Sequence, residues 1–426
     1  MQVMDYSKYS LGNGTEIYVN QSGLYTHTFV DFNFYSRNGE NNAAKTLANM
    51  LLMQGSRDFP TRQAISMAAE KQYGARINGK SLKIGDLHET GFNIDVLTVE
   101  SLTQGRKTFE NMAALMAGII SVPRIDSGMF NPEYFSKKKE ELLLAARRKM
   151  MDKDERAFSG FLKAAIGENG FSADEMGEED AILSLQNTDA VAAYEETIRS
   201  FPRKVYVGTN LNPEYIAEIL GKYLGALPAV NTRLLIGKAP EKKKPATLEE
   251  MSEFDQSVVF AGLPVDVPKS AREREALGLL SIYLGGYPVS RLFTEIRMKR
   301  DMAYHTFSRM DLDLGLLYCT AGVDIKNKDA AIGIMLEESK NAAEGKIPKK
   351  DFENAKKFIV NYLQMIMHVK GRRLDFVEKA ILSGKPEEID NYEQRYRNVT
   401  PQDVIKAASR IKFSPITYCL QQGAKK

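Results

Sequence analysis

The sequence predicts an α+β chain of two similar mixed α/β domains, each a sheet covered by helices, related by internal duplication and joined by a linker. Three observations predict it. At 426 residues the chain is too long for one ordinary core. Strand-like and helix-like patterns are interspersed throughout. A weak repeat recurs at about half the chain length, so that a lysine-rich helix beginning near Pro132 is matched by another near Pro348, 216 residues on.

The elements follow in order. Residues 29–36 alternate in part like a half-buried strand, and 91–97 alternate more clearly. Between them, residues 41–56 place Ala44, Leu47, Met50 and Leu51 on one helical stripe, with Gly55 as the expected C-terminal cap. A loop and a second helix lead to a Gly-rich strand start at Ile77-Asn78-Gly79. Pro132 suits the first turn of the long helix. Residues 188–198 read as a helix capped by Thr188 or Asp189, 204–208 as a strand, and 212–220 as a helix opening on Asn-Pro. Two prolines and a lysine run make 237–250 a solvated connector. The expected division is therefore domain 1–225, linker 226–252 and domain 253–426.

Composition excludes several function classes. Lys plus Arg is 58 and Asp plus Glu is 55, a net charge of +3 that lacks the basic footprint of a dedicated nucleic-acid binder. No apolar run reaches the ~18 residues of a membrane span, and the first residues carry no secretory pattern, so a cytoplasmic location is expected. Cys319 and Cys419 are too few for a disulfide scaffold and read as inert thiols in apolar strands. The four histidines, His27, His88, His305 and His368, include no pair close enough to hold a metal locally.

The run Asn41 to Ser56, the following loop and helix, and Asn78 resemble the opening of the pitrilysin/insulinase peptidases, the inverzincins. In that family a helix carries His-x-x-Glu-His: two histidines four apart share one helix face and hold Zn²⁺, and the glutamate acts as general base. Laid on this chain, those positions are Lys45, Ala48 and Asn49. An ammonium does not ligate zinc, alanine has no base, and asparagine is a weak neutral ligand. The third ligand of the family would fall between Glu140 and Ala146. The resemblance thus implies a degenerate zinc motif and no metal in this chain.

The second half matches most sharply. Ser290-Arg-Leu-Phe, the acidic Glu295, Arg297 and Tyr304 resemble the family segment whose Arg/Tyr pair holds substrate and the developing oxyanion. Asp301 stands where relatives commonly have Gly. Read without the family, the basic cluster is a solvated helix face and Tyr304 half-buried packing. With it, the chain looks like the zinc-less, non-catalytic subunit of a two-chain peptidase, inactive alone. The expected partners are a zinc-bearing homologous subunit and a peptide, which would lie along the edge strand at Ile77, Asn78 and Gly79. The alternatives are a purely structural or peptide-binding subunit and a zinc peptidase with scattered ligands.

Overall fold

The computed structural model describes residues 6–99, 105–231, 233–368, 370–386 and 391–423. Strands β1 (Tyr6–Ser10), β2 (Glu16–Gln21) and β3 (His27–Arg37) lead into helices α1 (Asn42–Leu52) and α2 (Arg62–Glu70), then β4 (Arg76–Ile84) and β5 (Leu87–Leu97). Next come α3 (Gly105–Ser121), the short β6 (Ile125–Asp126) and β7 (Met129–Phe130), α4 (Pro132–Met150), α5 (Lys153–Ile166), α6 (Glu179–Ser184), α7 (Asn187–Ser200), β8 (Arg203–Thr209) and α8 (Pro213–Leu224). The later part holds β9 (Ala246–Met251), β10 (Ser257–Pro264), α9 (Ala271–Ser281), π-helical turns at Ile282–Gly286 and Phe293–Met298, β11 (Ala303–Asp311) and β12 (Leu316–Val323). It closes with α10 (Lys328–Ala343), α11 (Lys349–His368), α12 (Lys370–Leu382), α13 (Tyr392–Asn398), α14 (Pro401–Ala408) and β13 (Ile416–Gln421).

Two compact units result. The first is Met1–Arg147 with Ala173–Ile236 and Val369–Asp390; the second is Arg148–Ser172 with Gly237–His368 and Asn391–Lys426. The first sheet has the order β1-β2-β8-β3-β5-β4, and the second β11-β12-β10-β13-β9. Read from opposite ends and without β1, the two orders correspond strand for strand. Each has one parallel pair near one end, β2 with β8 and β9 with β13, and antiparallel neighbours elsewhere. This shared topology carries the duplication that the sequence hinted at. It also makes β9 (Ala246–Met251) an edge strand of the second sheet, so residues 246–251 of the expected linker belong to that sheet.

The local chemistry is that of alternating strands and amphipathic helices. On β5, His88, Thr90, Phe92, Ile94 and Val96 share one face, and Phe92, Ile94 and Val96 join the first core with Leu47, Leu51 and Met112. The opposite face of that sheet is polar, and in the first unit α12 lies on it against β3 and β8. In the second unit α5 packs on β10 and β13, where Phe161 stacks on Phe260 at 4.8 Å. Gly262 leaves room for that ring, since a Cβ there would meet Phe161 Cζ at 2.6 Å. Helices α5 and α12 start 217 residues apart, close to the repeat offset, so each unit takes its second covering helix from the other half of the sequence.

Several caps differ from expectation. Helix α1 is capped by Met53, not Gly55; that glycine instead lets the chain pass close to Pro60, whose carbonyl would meet a Cβ at 2.7 Å. Gln186 caps α7, with Asp189 closing the capping box on its backbone N–H. Asn212 caps α8 as expected, accepting from the Tyr215 N–H at 3.0 Å.

Candidate functional site

Helix α1 puts Lys45, Ala48 and Asn49 on one buried face. Each is already occupied. Lys45 Nζ donates to Ser36 Oγ at 2.9 Å and to the Arg37 carbonyl at 3.3 Å, and lies 5.8 Å from the Phe201 ring centre. Burial pushes its ammonium down to about 8, against opposing attraction from Glu196 and Glu40. Ala48 is 3% exposed and lies among Phe34, Leu52, Phe92 and Ile120. Asn49 Nδ2 donates to the Lys80 carbonyl at 2.8 Å and the Gly91 carbonyl at 3.2 Å, pinning α1 beneath β4 and β5.

The α4 window offers no better donors. Glu140 is exposed, and Glu141 pairs with the buried Lys138 at 2.5 Å. Among the described residues no group of three or more His, Cys, Asp or Glu is arranged to hold a metal ion. The residues at the motif do not fit zinc: one is a bonded cation, one a methyl, and one an amide whose nitrogen faces carbonyl oxygens.

The sequence offered His88 no local histidine partner, and the structure gives it a structural place instead. It is buried on β5, with Nε2 3.0 Å from Ser81 Oγ and 3.2 Å from Thr46 Oγ1, so it ties α1 to the two strands beneath it. Desolvation, then the nearby Lys45 charge, pushes the imidazole down to about 3, so it is neutral. An unfolded imidazole takes up a proton near pH 6.5 while the folded one does not, so stability falls as the pH drops below that value. At pH 5 the loss from this group is about 2 kcal/mol. His88→Gln is expected to flatten that acid limb in denaturant melts at pH 7 and 5; an unchanged limb would remove His88 as its cause.

Strand β4 is the edge of its sheet. Ile77 is buried, Asn78 donates to Asn93 Oδ1 at 3.2 Å, and Gly79 lets α1 approach, a Cβ there meeting Met53 Cγ at 3.2 Å. All three line a cavity of about 440 Å³ bounded by α1, α2, β4 and α4. The expected substrate edge and the degenerate motif thus share one cavity through Asn49, while Lys45 and Ala48 lie outside its wall.

Arg297 and Tyr304 both belong to the second unit. Arg297 is exposed in the π-helical turn, its guanidinium 5.3 Å from the Phe293 ring centre. Its basic neighbours are taken: Arg291, Lys299 and Arg300 all pair with Glu295, at 3.0, 2.7 and 2.8 Å. The solvated-cluster reading therefore describes those three and leaves Arg297 over. Asp301 adopts the left-handed region at φ 49°, the conformation in which glycine would be unstrained. Tyr304 is the extra residue of a bulge between Ala303 and His305 on β11, the counterpart edge strand, and is 63% exposed. A bulge re-aims a side chain out of the sheet, which is why this tyrosine is not packed. His305 instead pairs with Asp154 at 3.2 Å.

With that geometry in view, comparison with known proteins is specific. The family described as peptidase M16 inactive domain matches residues 188–359. The probable inactive metalloprotease YmfF of Bacillus subtilis is 20% identical over 377 residues, 88% of each chain. The chain is similar to M16 peptidases described as inactive, and it lacks the zinc-motif residues. Solved structures agree in fold. A conserved protein from Enterococcus faecalis superposes with a TM-score of 0.87 at 19% identity, covering 99% of both chains. The periplasmic protease PqqL from Escherichia coli gives 0.73 at 15% identity, with 99% of this chain matching 46% of that one. No helix among the described residues of this M16 homologue is long and apolar enough to cross a membrane.

Proposed function

We propose that this M16 homologue is the zinc-less subunit of a two-chain peptidase in the cytoplasm. It hydrolyses nothing alone; it supplies Arg297 and Tyr304 to the substrate and oxyanion in a zinc-bearing homologous partner, and offers β4 to a peptide. One observation carries the reading: every motif position is committed to bonds or packing within the fold, while the cavity and edge strand beside it stay open. Exposed Arg297, the only member of its basic cluster without a Glu295 contact among the described residues, and the bulged Tyr304 support the role in trans. So does the size of PqqL, less than half of which this chain matches, so that a longer protease leaves room for a second body of this size.

The test is a peptidase assay with this chain and a zinc-bearing relative, each alone and then mixed. Activity is expected only when the zinc-bearing chain is present and is expected to rise on mixing. Arg297→Ala and Tyr304→Phe should each lower the mixed activity about 10²–10³-fold with assembly unchanged, the usual cost of one oxyanion donor. Full mixed activity with both variants would leave a purely structural subunit. Peptidase activity of this chain alone would defeat the proposal.

A further inference from the structure

The cavity against β4 carries positive charge that its own wall does not offset. Its basic lining residues are Arg62, Arg76, Lys80 and Lys138, and its acidic ones Glu70 and Glu141. Lys138 is held by Glu141 at 2.5 Å, and Lys80 by Glu89 at 2.7 Å and Asp31 at 3.5 Å. That leaves two exposed guanidiniums, Arg62 at the start of α2 and Arg76 at the start of β4, against the single carboxylate of Glu70, with no ion pair from any of the three among the described residues. Below them the floor is apolar, with Met50, Met53, Ile65 and Ile77.

We propose that this cavity is a subsite for an extended peptide segment carrying an acidic side chain, whose carboxylate is taken up by Arg62 and Arg76. The inference deepens the reading above and rests on its use of the β4 edge. A cavity of this volume is roughly 9 Å across, room for two or three residues of an extended chain at about 3.3 Å each. A segment paired to β4 by its backbone turns alternate side chains toward the floor, where an apolar residue is favoured, and its neighbours toward the rim. Guanidinium suits the rim: its planar fork binds a carboxylate through two parallel N–H bonds, which a lysine does not do. A lysine-bearing segment would bring a third cation toward two that lack partners.

Three fluorescent peptides of one length and apolar background, with Glu, Gln or Lys at the central position, test this on the full chain by anisotropy. The Glu peptide is expected to bind about tenfold more tightly than the Gln peptide, and the Lys peptide most weakly, with the gap closing as salt is raised. Arg62→Gln/Arg76→Gln should equalise Glu and Gln while leaving Gln binding intact; both side chains are exposed, and a thermal melt checks the fold. Arg62→Glu/Arg76→Glu should favour the Lys peptide. Equal binding of all three peptides by the unaltered chain would overturn the charge preference and leave the edge strand as a binding site. A preference that survives in the Gln double variant would overturn the assignment to these arginines. Failure to bind any of the peptides would overturn both the subsite and the edge-strand reading.

Discussion

The triple variant Lys45→His, Ala48→Glu, Asn49→His is expected to lose roughly 3 kcal/mol or more of stability and still to bind no stoichiometric zinc. Ala48 is the reason for most of the loss. The space beside it is only about 10 Å³, about the room of one water, and its neighbours are aromatic and aliphatic. A glutamate there must displace that packing and bury a carboxyl. Asn49→His removes the amide that satisfies the Lys80 and Gly91 carbonyls, and buried acceptors left unpaired cost about 1–3 kcal/mol each. On α4 the acid that lines the cavity is already bonded to Lys138. Denaturant melts and metal analysis of the purified variant check this. A variant of unchanged midpoint carrying one zinc per chain would contradict the account of the motif.

Glu378→Ala is expected to destabilise the protein by about 2–4 kcal/mol, and Glu378→Gln by much less. Glu378 is nine-tenths or more buried on α12, where Asn33 Nδ2 donates to it at 2.8 Å and the Tyr35 hydroxyl donates as well. Burial, then the neighbouring Glu89 carboxylate, pushes its carboxyl up to about 8, against the pull of Lys80. Glu89 is raised by its own burial in the same way, so the two titrate as a pair. The sign follows from linkage. Between the usual carboxylate range near 4.5 and about 8, the folded chain holds a proton that the unfolded chain has lost. This group's contribution is therefore complete below 4.5 and declines by a few kcal/mol as the pH rises toward 8. Glu378→Gln should flatten that alkaline-side decline without touching the acid limb assigned to His88. Melts at pH 5, 6.5 and 8 separate the two; an identical decline in wild type and Glu378→Gln would show that another group is responsible.

Much of the fold was legible because its signals are local. Alternation marks β3 and β5, Asn212-Pro213 opens α8, and the two Pro-led lysine-rich helices announce the duplication. The degenerate motif was legible for the same reason: helical spacing alone puts residues 45, 48 and 49 on one face, and their chemistry follows from side-chain type. His88 and Glu378 were not. Each matters through partners far along the chain, 42 residues from His88 to Thr46 and more than 340 from Glu378 to Asn33 and Tyr35. Only the His88 contact with Ser81, seven residues away, falls in a short window, and by itself it does not show the tie to α1.

Strand periodicity and helix spacing, which depend on neighbouring residues only, determined the element types, the repeat and the loss of the metal-binding residue types. The pairing of strands, the transfer of α5 and α12 between sequence halves and the bulge that exposes Tyr304 were decided by tertiary structure. So was the capture of Arg291, Lys299 and Arg300 by Glu295, which sets Arg297 apart. Those features rest on long-range burial and on competition between like charges for one acid, and a charge's partner is chosen by the geometry that folding creates rather than by its place in the chain.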